Sequence, residues 1–104
     1  MANPTRQRRD IPVRLLSLGT DHRPISWRHV EYITRKYDRG QLGFLDVVEL
    51  ENDTYIIADG AIRALAILRS EGEDALAPCR VRQGDRHSDR GKTRRIADIT
   101  RHDY

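Results

Sequence analysis

The sequence predicts a single small α/β (α+β) domain with elements in the order β-α-β-β-α-β. Three observations carry this. The chain has 104 residues, room for one hydrophobic core but not two. Two runs rich in Val, Ile and Leu, at 44–50 and 55–58, are separated by Glu51-Asn52-Asp53-Thr54, a turn by residue type, and so form an antiparallel hairpin. An Ala- and Leu-rich run at 61–70 follows directly, with Ile62, Leu65, Ala66 and Arg69 at helical spacing.

The remaining elements follow from local chemistry. Residues 1–10 are polar and contain Pro4, which predicts a flexible basic arm. Ile11, Val13 and Leu15 alternate within 11–18, predicting a first strand whose start Pro12 confines to an edge or strand end. Ser26 is a good helix N-cap, and Ile25 before it is placed to staple onto Val30. Trp27, Val30, Ile33 or Thr34, and Tyr37 recur at helical spacing, with Trp27 and Tyr37 as core anchors, until Gly40 stops the run. Gly72 ends the second helix, and Ala77-Pro-Cys-Arg-Val81 is a last short strand. The stretch 84–91 cannot build a core, and Ile96, Ala97 and Ile99 allow one weak amphipathic turn. The domain is therefore expected at 11–82, between an arm at 1–10 and a basic, partly disordered tail at 83–104. Spacing alone leaves a ferredoxin-like split βαβ sandwich open as the topology.

Composition narrows the function classes. No apolar run approaches the roughly 20 residues that span a bilayer, and the basic N-terminus is followed by no signal-peptide core. A cytoplasmic protein with no membrane partner is expected. Cys79 is the single cysteine, which excludes an intrachain disulfide and a cysteine-based metal cluster. His22, His29, His87 and His102 show no ligand spacing, and no metal site is expected. Charge is unevenly spread along the chain. Residues 1–9 carry three Arg and no acid, residues 10–79 carry eight basic and twelve acidic residues, and residues 80–104 carry eight basic and four acidic. Basic ends suit a polyanion, since each neutralised phosphate releases counterions. Arg6, Arg8, Arg9, Arg90, Lys92, Arg94 and Arg95 are the candidates for nucleic-acid backbone contact.

The most informative stretch is Tyr55-Ile-Ile-Ala-Asp-Gly-Ala-Ile-Arg63, a strand running through Asp59-Gly60 into a helix. Gly60 permits close backbone approach to a ligand, and the following helix N-terminus offers unpaired N–H groups to an anion. Arg63, one turn in, reaches the same anion with a planar fork. Asp59 has three open roles: capping the helix, holding a metal ion, or orienting Arg63. It is also the candidate catalytic residue. The acidic edge of Asp46, Glu49 and Asp53 reads as a solvated strand face, with Mg²⁺ binding as the alternative.

These segments, in order, resemble the ParB N-terminal/sulfiredoxin-like domain, in particular the short ParB-like proteins of phages and mobile elements. The resemblance rests on Arg23-Pro24, Val30-Glu-Tyr-Ile33, Leu45-Asp-Val-Val48, the Tyr55–Ala66 box and Pro78-Cys-Arg-Val81. It implies that Gly60 and Arg63 cradle phosphates, that Arg23 joins them, and that the ligand is a nucleotide (CTP or ATP, with Mg²⁺), DNA, or both. It also admits a homodimer. Family members carry polar residues where this chain has Ala61-Ile62, and sulfiredoxins place their catalytic cysteine at the position of Ala61. Sulfiredoxin chemistry is therefore not expected. Three functions remain open: a nucleotide- or DNA-backbone-binding module, a metal-dependent nuclease or nucleotide hydrolase, and a degenerate fold used for protein contacts. An exposed Ile62 favours the last; Arg23 and Arg63 around one concave pocket favour the first.

Overall fold

The computed structural model describes residues 7–19, 24–50, 53–84 and 93–99. Six strands form one mixed sheet: β1 (Gln7–Pro12), β2 (Leu16–Gly19), β3 (Leu45–Leu50), β4 (Thr54–Asp59), β5 (Leu76–Gln83) and β6 (Thr93–Arg95). Three helices accompany them: α1 (Trp27–Arg35), α2 (Arg39–Leu42) and α3 (Ala61–Glu71). Single 3-10 turns lie at Val13–Leu15 and Ile96–Asp98. The sheet order is β1-β5-β3-β4-β2-β6, with β2–β4 and β3–β5 parallel and the other pairs antiparallel. These pairings decide the topology that spacing left open.

The predicted α/β class and the β3–β4 hairpin are present, but the first strand is not a single element. Pro12, with no N–H to give a ladder, ends β1. The chain then makes the turn at 13–15, where the Val13 and Arg14 amides donate to the Ala75 and Glu73 carbonyls. It re-enters the sheet as β2, four positions from β1. In a flat sheet that separation is about 19 Å, whereas four residues reach at most about 14 Å. The sheet must therefore curl around its contents.

Those contents are apolar. Leu16, Leu18, Leu45, Val47, Ile57, Cys79, Val81 and Ile96 are fully buried, and Leu65 and Ile67 of α3 fill the space they enclose. Trp27 and Tyr37, expected as core anchors, are half-buried against this cluster. Burial also pushes the Cys79 thiol up to about 12, so it is an inert core group. Pro78 sits inside β5 without a penalty. Cys79 is level with Leu45, the first residue of β3, so Pro78 lies where β5 has β1 alone as a neighbour.

Four further boundaries differ from expectation. Residues 7–10, read as part of a flexible arm, pair with β5 from Gln7↔Val81 to Asp10↔Pro78. Residues 93–95, read as tail, pair with β2, and Ile96 after them is fully buried. Arg residues dilute the alternation in both segments, so their strand character does not show in the sequence pattern. Ser26 caps α1 as expected, accepting the His29 amide, but the helix ends at Lys36. Asp38 then caps the separate short helix α2 by accepting the Gly40 amide, so Gly40 lies inside a helix rather than stopping one.

Ile11 decides whether β1 belongs to the folded unit, because its side chain is buried in the core. Ile11→Ala is expected to lower the free energy of unfolding by about 2–4 kcal/mol. Urea denaturation measures this, and a flexible arm would give no change.

Candidate functional site

The site is built where β4 leaves the sheet. A register shift between Asp46 and Val47 leaves Ala58 as an extra residue before Asp59, which turns the strand end outward. Gly60 then takes φ +115, a conformation that L side chains rarely adopt, and a Cβ there would lie 2.7 Å from Leu45 Cδ2. Gly60 is the N-cap of α3 and supplies no side-chain acceptor, so the first-turn amides of α3 carry no side-chain cap. Asp59 does not cap. Of its three open roles the structure shows one: its Oδ2 accepts from Arg63 Nη2 at 3.1 Å.

Arg63 is the hub of this corner. Its Nη1 donates to the Leu42 and Phe44 carbonyls, both at 3.1 Å, which flank Gly43 at φ +69. One guanidinium thereby clasps the turn from α2 into β3 and ties it to the start of α3. Arg63 stays partly exposed, with 29% of its side chain accessible, and one Nη2 hydrogen and the Nε hydrogen remain outside these three bonds. The arrangement can offer an anion two kinds of partner, uncapped helix amides and a positioned guanidinium edge. Ile62 is half-buried against the core rather than exposed, which is not the condition set for the protein-contact reading. Arg23 lies outside the described residues, so its distance from Arg63 stays an expectation.

The backbone-contact candidates do not act as one group. Arg6, Arg90 and Lys92 lie outside the described residues. Arg8 stacks over the Phe44 ring with its guanidinium carbon 5.0 Å from the centroid. Arg9 turns to the core side of the sheet, where Nη2 lies 2.8 Å from Glu49 Oε1 and the guanidinium covers the Tyr55 ring. The Arg9 Nη2 and Nε are buried without an aligned hydrogen-bond acceptor, so this contact is a charge pairing more than a directed bond. Arg95 donates to the Arg14 carbonyl at 3.1 Å, and Arg94 is exposed.

Glu49, expected on a solvated strand face, is instead the centre of a network. It accepts from Gln83 at 2.7 Å and from the Tyr55 hydroxyl at 3.1 Å, besides pairing with Arg9. Burial works to raise its pKa, but Arg9, Gln83 and Tyr55 together outweigh it and hold the carboxyl below its ordinary value. Burial and the Glu49 carboxylate push the Tyr55 hydroxyl upward. The signal was present in the sequence: Glu49 shares parity with Leu45 and Val47, and Arg9 with Ile11, so both face inward. Among the described residues no group of three or more His, Cys, Asp or Glu gathers where a metal ion could sit. No helix among them is long and apolar enough to cross a membrane.

Comparison with protein-family models and with curated proteins gives no match. Among solved structures, the chain is similar to the C-terminally truncated chromosome-partitioning protein ParB from Caulobacter crescentus, complexed with CTP-γ-S. The TM-score is 0.61 at 21% identity, over 76% of this chain and 46% of that one. The fold is ParB-like. At this identity the likeness establishes the fold alone, and this ParB-like chain spans about half the length of that structure. The corner of Gly60 and Arg63 is thus set in a ParB-like framework by the residues of this chain itself.

Two outcomes test the geometry. Gly60→Ala is expected to destabilise the domain by about 1–2 kcal/mol from the left-handed backbone alone, with the Leu45 contact adding to it; chemical denaturation reads the loss. For Glu49, whose folded pKa is depressed, the network's contribution is complete above the unfolded carboxylate value. It is lost as pH falls through the lower folded value. Urea midpoints from pH 6 to about pH 3 should therefore fall for the wild type and fall less for Glu49→Gln.

Proposed function

We propose that this domain binds the phosphates of a nucleotide at the N-terminus of α3, in the manner of a short ParB-like module of phages or mobile elements. One observation carries the reading. Gly60, forced by its backbone angle and by Leu45, leaves α3 uncapped beside a guanidinium that Asp59 and two carbonyls hold in place. A phosphate is the ligand class that uses both features at once, because its oxygens accept from amides and pair with arginine. A structure of the same fold, the ParB of Caulobacter crescentus, was solved with CTP-γ-S, which supports CTP as the first nucleotide to try.

Charge arrangement supports binding ahead of hydrolysis. A lone Asp59 carboxylate would repel a phosphate at the seat, and its ion pair with Arg63 offsets that repulsion. The same pairing commits the one carboxylate offered by the box, so a metal ion would have to compete with Arg63 for it. The basic ends are a second contact to DNA backbone in this reading, through Arg6, Arg8, Arg90, Lys92 and Arg94, while Arg9 and Arg95 are held by Glu49 and by the Arg14 carbonyl.

The test is calorimetric titration of CTP and ATP, with and without Mg²⁺, into wild type, Arg63→Ala and Ile62→Glu. Wild type is expected to bind one triphosphate, and Arg63→Ala to weaken it at least about tenfold, a loss on the scale of one charge-assisted hydrogen bond. Arg63 also holds the turn at Gly43, so Ile62→Glu supplies the independent arm. It adds a carboxylate beside the seat while leaving the three Arg63 bonds in place, and should weaken binding as well. The reading is wrong if wild type binds neither nucleotide, or if both variants stay folded by circular dichroism and bind as wild type does.

A further inference from the structure

Helix α1 carries a second cationic surface, away from the corner at Gly60. Arg28, His29, Tyr32, Arg35 and Lys36 are all exposed. At 100° per residue these five positions fall within an arc of about 120°. The opposite side holds the fully buried Val30 with half-buried Trp27 and Ile33. The exposed stripe contains no acid, and Glu31, half-buried, falls just outside its arc.

Two facts set this stripe apart from an ordinary solvated face. Arg9, Arg14, Arg39 and Arg63 each reach a carboxylate, whereas among the described residues Arg28, Arg35 and Lys36 form no ion pair. Among the described residues, these three cations therefore stand along one line with no carboxylate within ion-pair distance. In its middle stands Tyr32, half exposed and one of two large hydrophobic side chains so exposed among the described residues. The Lys36 ammonium lies 5.1 Å from the Tyr32 ring centre, and the His29 ring lies 6.5 Å away on the preceding turn. The ring thus lies between the Lys36 ammonium and the His29 ring.

We propose that the solvent face of α1 docks on duplex nucleic acid, with Arg28, Arg35 and Lys36 neutralising backbone phosphates and the Tyr32 hydroxyl donating to one. Arg28 to Lys36 spans about 12 Å of helix, long enough to meet successive phosphates. A helix of about 10–12 Å diameter also matches the roughly 12 Å width of the major groove. A protein partner would require an apolar centre to this patch, and Tyr32 is its single aromatic residue. Insertion into a lipid surface would require a free apolar face, which in α1 is already spent on the core. This surface is separate from the nucleotide seat, and the inference does not rest on that site.

Fluorescence anisotropy of a labelled random-sequence DNA duplex, over a salt series from 50 to 200 mM, tests the proposal. The variant is Arg28→Gln/Arg35→Gln/Lys36→Gln, chosen because Gln keeps helix propensity and side-chain length. Wild type should bind with a steep salt dependence. The triple variant, with an unchanged thermal midpoint, should lose at least about tenfold in affinity at 50 mM salt, and the log–log slope should flatten by about 2–3. Tyr32→Phe should weaken binding without altering the slope. The proposal is overturned if wild type does not bind, or if the triple variant keeps the wild-type slope. It is equally overturned if polyglutamate of matched charge displaces the wild type as well as unlabelled duplex does.

Discussion

Everything at the working end of this domain depends on where one guanidinium is held. Arg63 donates to the carbonyls on both sides of Gly43 and to the carboxylate of Asp59. Three chain segments that meet nowhere else in sequence, the α2–β3 turn, the end of β4 and the first turn of α3, are thereby fixed to one another. Removing the fork would leave the Leu42 and Phe44 carbonyls and the Asp59 carboxylate without the Arg63 partner they share. The same bonds that close the corner hold the Arg63 guanidinium beside Gly60, at the uncapped helix end. Architecture and candidate binding site are consequently one object.

The rest of the fold gives that corner a rigid base. Helix α3 is covered by α1 as well as by the curled sheet and its 3-10 turns, so Ala64, Leu65, Ala66 and Ile67 are all buried. The helix N-terminus therefore cannot tilt without disturbing the core. At the opposite end of β3 and β4, the Arg9–Glu49–Tyr55–Gln83 network closes the core, with Glu49 accepting from Tyr55 and Gln83 and pairing in charge with Arg9. That network fastens β1 to the hairpin, and it explains why Arg9 is held inside the sheet instead of serving as a free surface cation.

Much of this was legible in the residues. The hairpin, the Asp59-Gly60 junction, α3 with its Gly72 stop, and the buried Cys79 all followed from periodicity and turn chemistry. What escaped was decided by contacts distant in sequence. Nothing local says that Ile11–Leu18 divides at Pro12 and contributes to two separated sheet positions, because both halves alternate correctly as strand. The Arg-rich composition of 7–10 and 93–95 hid pairing that only β5 and β2 make worthwhile. Asp59 read equally well as cap, metal ligand or orienting group, and the choice was made by the carbonyls of Leu42 and Phe44, which bring Arg63 back along the helix toward it.

Site-resolved amide NMR during titration with CTP addresses the central claim most directly. If the α3 N-terminus is the anion seat, the amides of Gly60, Ala61, Ile62 and Arg63 should shift first and saturate together, followed by those of Gly43 and Phe44 through the Arg63 clasp. Shifts confined to other parts of the sheet, or a spectrum unchanged at millimolar nucleotide, would contradict the account.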